Sequence, residues 1–340
     1  MKLKTAVIGV GYWGPNYARI FNELETTELY YCCDLEEKNL EKIKNLYPAV
    51  KTTKDYKEVV KDSDTNAVAI TTPLNTHYEI AKCCLENKKH VLIEKPFTSS
   101  IEEGKELMKI AEKNNLVLMV GHVFEYNPGI RELKRIIMEG KLGNLYYISA
   151  ERVGLGPIRK HASALWDLAT HDISIVLYLL GGLPKEVTAE GASYIQKKVD
   201  DIVILSLRFT NGVLCNIRAS WIAPEKIRKI TVVGSKGMAI FDDVNKSEVL
   251  KIYEREIDGS LLNSTPDYID HQAIINIGDV RIPKIEHSEP LKNQVEHFLE
   301  CIVENKQPMT DAQDGINVIK VLEAAEKSLK SKSKRKVKCR

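Results

Sequence analysis

The sequence predicts an α/β fold in two parts: an N-terminal parallel sheet with flanking helices, then an α+β part built on a large antiparallel sheet. Three observations carry this. Short apolar runs alternate with helical-period runs from Met1 to about Val120, the texture of βαβ units. A glycine-rich turn follows the first strand and opens a helix. Beyond Asn127-Pro128 strands dominate, with hairpin signals between them.

Thr5–Ile8 is an apolar, partly β-branched run suited to a strand buried on both faces. Gly9, Gly11 and Gly14 follow at G-x-G-x-x-G spacing, and Pro15 fits the first turn of a helix. The first glycine permits a tight turn, the second lets backbone approach a pyrophosphate, and the third allows close helix–strand packing. The free N–H groups at that helix start would face the anion. A helix to about Leu24 and a strand from Leu29 to Cys33 lead to Asp34. This acid lies about 20 residues past the glycines, where dinucleotide folds place the carboxylate that holds the adenine ribose. Leu35 and Glu36 follow it, with no cation beside it for a 2′-phosphate. NAD is therefore expected over NADP.

Further helices are expected over Glu36–Leu46, Lys54–Lys61, Tyr78–Glu86 and Ile101–Asn114, and strands over Ala67–Thr71, His90–Ile93 and Leu116–Val120. Polar motifs fall where these strands end, the edge at which parallel sheets bind ligands. In the second part we expect a helix over Gly129–Met138, a strand over Leu145–Val153, a loop over Gly154–Ser163 and a helix over Trp166–Leu180. Strands follow over Glu186–Tyr194, Val203–Phe209, Val213–Trp221, Lys229–Val233, Met238–Asp242 and Leu250–Glu254. Asn211-Gly212 and Ser235-Lys236-Gly237 read as hairpin turns. Asp258–His287 reads as loop, and Leu291–Glu304 and Asp314–Leu329 as helices. The division taken is 1–121, 122–330 and a basic tail, 331–340.

Length suits about two domains. The net charge is +2, but Lys327–Arg340 holds eight Lys/Arg and no acid, so the rest of the chain is acidic. Such a run is usually a solvated tail, and no recognition motif accompanies it, so no nucleic-acid partner is expected. No apolar run is long enough to cross a bilayer, and Met1-Lys2 leads straight into a strand, which argues against a signal peptide. Cys32-Cys33 and Cys83-Cys84 sit in apolar runs, and no C-x-x-C metal spacing occurs among the seven cysteines. Reduced, buried thiols in a cytoplasmic protein, with no metal, are the simplest expectation.

The chain resembles the Gfo/Idh/MocA family of NAD(P)-dependent sugar and polyol dehydrogenases. The markers are G-V-G-Y-W-G at 9–14, T-P-L-N-T-H at 72–77, E-K-P at 94–96, G-H-V-F-E-Y-N-P at 121–128, and Asp167 with His171-Asp172. The resemblance implies a Rossmann domain, then an α/β domain with an open, largely antiparallel sheet whose outer face pairs subunits, hence a homodimer or homotetramer. It implies that Lys95, Asp167 and His171 are catalytic. It also implies that Thr72, Pro73, Asn75 and His77 line the nicotinamide ribose, that Tyr12 and Trp13 flank the pyrophosphate, and that Glu94 and Lys95 border the cofactor.

The chemistry fits these residue types. Oxidising a secondary alcohol needs a base for the proton and a cation or donor for the developing alkoxide. Histidine titrates near neutrality, and a lysine beside a cationic nicotinamide has its charged form disfavoured. Asp167 and His171 are four apart and would share a helix face, turned toward a cleft between the domains. His122 sits at a strand end, where a structural bond and a ligand contact are equally open; His90, His271, His287 and His297 are given no role.

Tyr126, Asn127, Arg152, Arg159, Lys160, His161 and Trp166 fall in or near the segment expected to face the nicotinamide. With Lys95 and His171, the substrate-binding set is read as Tyr126, Asn127, Arg159 and Trp166. Cations suit phosphate and aromatics suit sugar faces or a base. The run Gly121–Leu180 resembles the branch that oxidises the 3-hydroxyl of a UDP-N-acetylated hexose or hexuronate. A free sugar or inositol-type polyol is the alternative substrate. A dinucleotide-binding sensor without turnover is the alternative of another class, and the filled Lys95, Asp167 and His171 positions weigh against it.

Overall fold

The computed structural model describes residues 2–156, 158, 162–257 and 275–331. The chain forms two compact units, Met1–Asn127 with Ser288–Lys320, and Pro128–His287 with Val321–Arg340. Among the described residues, no helix is long and apolar enough to cross a membrane.

The first unit is an α/β layer structure. Its strands are β1 (Leu3–Ile8), β2 (Thr27–Cys33), β3 (Lys51–Thr53), β4 (Ala67–Ile70), β5 (His90–Glu94) and β6 (Leu118–Gly121). They form one parallel sheet in the order β3-β2-β1-β4-β5-β6. The order reverses between β1 and β4, which places a ligand crevice at their carboxyl ends. β4 is buried at all four positions, which explains its unbroken apolar run. Between the strands run α1 (Gly14–Glu23), α2 (Glu37–Leu46), α3 (Tyr56–Lys61), α4 (Leu74–Glu86) and α5 (Ile101–Asn114). α5 begins where Ser100 accepts from the Glu103 backbone N–H at 3.3 Å while Glu103 accepts from Ser99 N–H at 2.9 Å. This reciprocal bonding satisfies donors the helix start would otherwise leave bare. A 3-10 turn, Val123–Tyr126, follows β6.

β3 and the start of α4 depart from the sequence reading. β3 is a three-residue edge strand, too short to show a period. α4 starts at Leu74, not Tyr78, because Pro73 is extended and the Thr76 hydroxyl donates to Pro73 O at 2.7 Å. Asn75 and His77 therefore belong to a helix and not to a loop.

The second unit opens with α6 (Pro128–Met138), β7 (Leu145–Leu155), a π-helical turn (Leu165–Ala169) and α7 (Thr170–Leu180). It continues with β8 (Glu186–Ala192), β9 (Ile202–Arg208), β10 (Leu214–Ser220), β11 (Ile222–Gly234), β12 (Gly237–Asp242), β13 (Leu250–Ile257) and β14 (Ile275–Arg281). These make one open sheet, β14-β13-β12-β11-β7-β10-β9-β8. Every neighbouring pair is antiparallel except β7 with β10. Both hairpins read from sequence are present: Gly212 takes φ +87° between β9 and β10, and Ser235-Lys236 joins β11 to β12. β9 alternates throughout and β10 up to Ala219, burying Val203, Leu205, Leu207, Cys215, Ile217 and Ala219 on one face. α7 packs on β7 and β10.

Two expectations are corrected here. β14 falls inside the stretch read as loop; Gly278 and Asp279 interrupt its run, and both types are poor strand formers. The helix expected from Trp166 is a π turn followed by an α-helix, so the four-residue α-helical spacing of Asp167 and His171 does not apply as read.

Later in the chain, α8 (Pro290–Glu304) belongs to the first unit, and α9 (Ala312–Lys330) crosses the division after Lys320. A reading in chain order gave both to the second part; in the structure Leu291, Val295 and Phe298 of α8 join the buried cluster of the first unit.

Candidate active site

The glycine turn is built as its spacing implies. Gly9 has φ +95°, a left-handed conformation in which a side chain would be strained. A Cβ on Gly14 would lie 2.0 Å from Gly9 O, so only glycine lets α1 start this close to β1. A Cβ on Gly11 would meet nothing nearer than Asn39 Nδ2 at 3.9 Å, so the open space lies on that side. Thr71 Oγ1 donates to Gly9 O, and Thr71 N donates to Ile8 O at 2.9 Å, tying the turn to the end of β4. Tyr12, Trp13 and Gly11 are exposed. The start of α1 lies beside this opening, with Pro15 lacking an N–H and Asn16 N donating to Trp13 O at 3.0 Å.

Asp34 directly follows β2. Its Oδ1 accepts from Glu36 N at 2.9 Å and from Asn39 Nδ2 at 3.1 Å, which fixes the plane of the carboxylate. An anion-receiving turn and an oriented carboxylate at the ends of adjacent strands suit a dinucleotide. Asn39 was not singled out from sequence; the available signal was an amide one helical turn past the acid.

Thr72 and Pro73 follow β4, and the Thr72 hydroxyl accepts from Thr76 Oγ1 at 2.8 Å. Asn75 is exposed on the first turn of α4. His77, expected to line the ribose, is 1% exposed. Its Nε2 lies 2.8 Å from Thr72 O and its Nδ1 2.9 Å from Pro96 O, so it braces two loops. Burial lowers its pKa, against the pull of those carbonyls. A buried brace replaces the ligand contact, because α4 turns this face inward.

Lys95 leaves the end of β5 and is half-buried. Glu94 before it is held on both oxygens: Oε1 accepts from Tyr17 OH at 2.7 Å, and Oε2 from Lys95 N at 3.0 Å. Burial raises the pKa of Glu94, against the pull of these donors. Tyr17 and Gln294 carried no sequence reading, and their partners lie too far along the chain for spacing to show them.

Tyr126, expected at the substrate, and His122, whose role the sequence left open, both make structural contacts. Tyr126 is fully buried, and its hydroxyl lies 3.2 Å from Thr310 Oγ1. His122 is buried with Nδ1 3.1 Å from Asp314 Oδ2 and 3.3 Å from Glu125 Oε1. Burial would lower its pKa, but the two carboxylates outweigh it and raise it. Among the described residues, these three side chains bring metal-type donors within 4.8 Å of one another. His122 Nδ1 bonds to Glu125 and lies at ion-pair distance from Asp314, while His122 Nε2 and Asp314 Oδ2 have no hydrogen-bond partner among the described residues. Asn127 is nearly buried at the end of the same segment. His90 and His297 also prove structural, accepting from Val117 N and Met309 N.

In the second unit, Asp167 and Trp166 sit half-buried in the π turn, and His171 is half-buried in the first turn of α7. Leu165, Ala169 and Thr170 between and beside them are buried. π turns recur at functional positions. Arg152, grouped by sequence with the phosphate-seeking cations, instead pairs with Asp172: Nε to Oδ2 is 2.7 Å and Nη2 to Oδ1 is 3.0 Å, both residues buried. This clamp ties β7 to the turn that carries His171. Arg159, Lys160 and His161 lie outside the described residues, as does the tail 332–340.

Residues 3–122 match the oxidoreductase family described as having an NAD-binding Rossmann fold, and residues 130–240 match the Gfo/Idh/MocA C-terminal domain. The myo-inositol 2-dehydrogenase of Thermotoga maritima is 25% identical over 97% of this chain and 97% of that protein. The UDP-N-acetylglucosamine 3-dehydrogenase of Acidithiobacillus ferrooxidans is 28% identical over 74% of this chain and 77% of its own. A crystal structure of that enzyme superposes with a TM-score of 0.81 at 24% identity, over 97% of this chain and all of that one. Levoglucosan dehydrogenase, solved with NADH and levoglucosan, gives 0.82 at 20% identity over 97% of each chain. With the glycine turn, the oriented Asp34 and both domains matched, the chain belongs to the Gfo/Idh/MocA family of NAD-binding oxidoreductases, among the sugar and polyol dehydrogenases.

Proposed function

We propose that this enzyme oxidises the 3-hydroxyl of a UDP-N-acetylated hexose or hexuronate. The observation that carries the site is Lys95. It emerges at the carboxyl edge of the same parallel sheet whose neighbouring strands end in the glycine turn and Asp34. Gly9–Gly14 and the start of α1 would hold the pyrophosphate, and Asp34 the adenine ribose. Bound NAD would supply the hydride acceptor. Lys95 stabilises the alkoxide oxygen through its Nζ, His171 accepts the hydroxyl proton, and Asp167 orients the substrate beside it. Trp166 offers a sugar-facing aromatic surface, and Arg159 a cation for the diphosphate. The likeness to the Acidithiobacillus enzyme over three-quarters of each chain supports the nucleotide-sugar choice.

A free cyclitol is the second reading, favoured by the end-to-end match to the inositol enzyme. The exposed Tyr147, Ile204 and Leu214 on one face of β7, β9 and β10 support a homo-oligomer through that face. The six cysteines among the described residues are all free thiols, which supports a reducing, cytoplasmic setting.

The test is NADH formation over a panel: UDP-N-acetylglucosamine, its uronate, myo- and scyllo-inositol, and glucose. Turnover on the UDP-sugars is expected, and Lys95→Ala should cut it about 100-fold or more while NADH still binds. Turnover confined to the cyclitols overturns the nucleotide-sugar choice. A Lys95→Ala variant at wild-type rate overturns the role of the lysine.

A further inference from the structure

Tyr17 stands on α1, on the first turn after Gly14, and is completely buried. Its hydroxyl donates to Glu94 Oε1 at 2.7 Å and lies 3.4 Å from Gln294 Oε1. Gln294, on α8 and equally buried, donates its Nε2 to Val120 O at 3.3 Å, which orients the amide so that its oxygen faces the phenol. Glu94 passes the constraint on. Its second oxygen accepts the backbone N–H of Lys95 at 3.0 Å. One carboxyl therefore joins the first turns of α1, through Tyr17, to the backbone of the lysine at the end of β5. Behind it, one phenol sets its rotation.

A half-buried carboxyl held on both oxygens is not there for stability alone. Taking it out of water is costly, and isosteric neutral side chains would fill the same space. Its geometric product is a fixed relation between the phosphate turn and Lys95. Without the phenol, Oε1 loses its bond from α1, the carboxyl gains rotational freedom, and the bond to Lys95 N loosens with it.

We propose that Tyr17, backed by Gln294, is a positioning residue that acts through Glu94 to couple cofactor binding to the placement of Lys95. This rests on the reading of Lys95 given above. Nothing in it requires the phenol to exchange a proton or to touch substrate.

The test is a double-mutant cycle with Tyr17→Phe, Glu94→Gln and the pair, using NADH binding and turnover of UDP-N-acetylglucosamine. Tyr17→Phe is expected to weaken NADH binding about fivefold and lower kcat about tenfold, the latter worth ~1.4 kcal/mol, with KM for the sugar unchanged. In the Glu94→Gln background the same substitution should change either quantity by less than about twofold, since the phenol then has no carboxylate to hold. A merely structural phenol would lower the melting temperature equally in both backgrounds, with additive or absent effects on binding and kcat. Additivity, or a Tyr17→Phe enzyme within twofold of wild type in both readouts, overturns the proposal. If Lys95→Ala keeps full turnover, it is the lysine reading that fails. The NADH arm then decides the network by itself: non-additivity supports the coupling of Tyr17 to Glu94, and additivity overturns it.

Discussion

Replacing Asp172 by Asn would remove the carboxylate that pairs with the buried guanidinium of Arg152. Arg152 is 6% exposed and Asp172 1%, and they meet through two parallel bonds of 2.7 and 3.0 Å. Removing one partner of such a pair leaves a charge without its counter-ion and typically costs about 3–5 kcal/mol. For a unit of this size each kcal/mol moves the melting temperature by about 2–4 °C, so the drop should be roughly 6–20 °C. Trp166 and Trp221 both lie in the second unit, so tryptophan fluorescence during a thermal ramp reports on it. Two controls bracket the result. Asp64→Asn breaks the exposed Lys4–Asp64 pair and should leave the midpoint almost unmoved. The double variant Arg152→Met/Asp172→Leu removes both charges and should recover most of the loss, because apolar residues often replace a buried pair at little cost. The reasoning fails if Asp172→Asn shifts the midpoint by less than about 2 °C, or if the double variant melts no higher than the single one.

Two further outcomes follow from bonds already described. Asn39→Ala frees the carboxylate of Asp34 and should weaken NADH binding about tenfold, the loss expected for a hydrogen bond to a charged group; an unchanged dissociation constant by fluorescence titration would contradict this. Asp201 is buried and accepts from Tyr194 N, Ile195 N and Trp221 Nε1 at 2.6, 2.7 and 2.8 Å. Burial alone would raise its pKa, but these donors outweigh it and hold the carboxyl below the usual range. Its contribution is therefore present above about pH 4 and lost as pH falls through the lower folded value. Thermal melts of wild type should decline more steeply on acidification than those of Asp201→Asn, and parallel declines would rule the carboxylate out as the cause.

What could be read from the sequence was local. The glycine turn and Asp34 each depend on a strand end and a few residues around it, so type and spacing were enough to single them out, whereas Lys95 was singled out through the family resemblance. β4 and α5 were legible for the same reason, through an unbroken apolar run and a Ser-initiated amphipathic helix. The π turn at Leu165–Ala169 was not, because no residue type marks it. Residue type announces a donor or a charge; only the tertiary partner decides whether it is available. Arg152 looked like a phosphate ligand and is bound to Asp172; Tyr126 looked like a sugar contact and is bound to Thr310, far along the chain.

The same logic runs in reverse for Glu94 and Tyr17. A glutamate beside a catalytic-type lysine suggests a contact with cofactor, and a tyrosine on an amphipathic helix suggests core. In the structure the glutamate turns inward to the phenol, and α8, nearly 300 residues from α1 in sequence, backs that phenol with Gln294. A polar pair enclosed this way constrains backbone on both sides of it. That is why the stretch from Ser288, which carries none of the motif residues, bears on Lys95: it packs Gln294 against the phenol whose bond to Glu94 helps decide how firmly β5 presents the lysine.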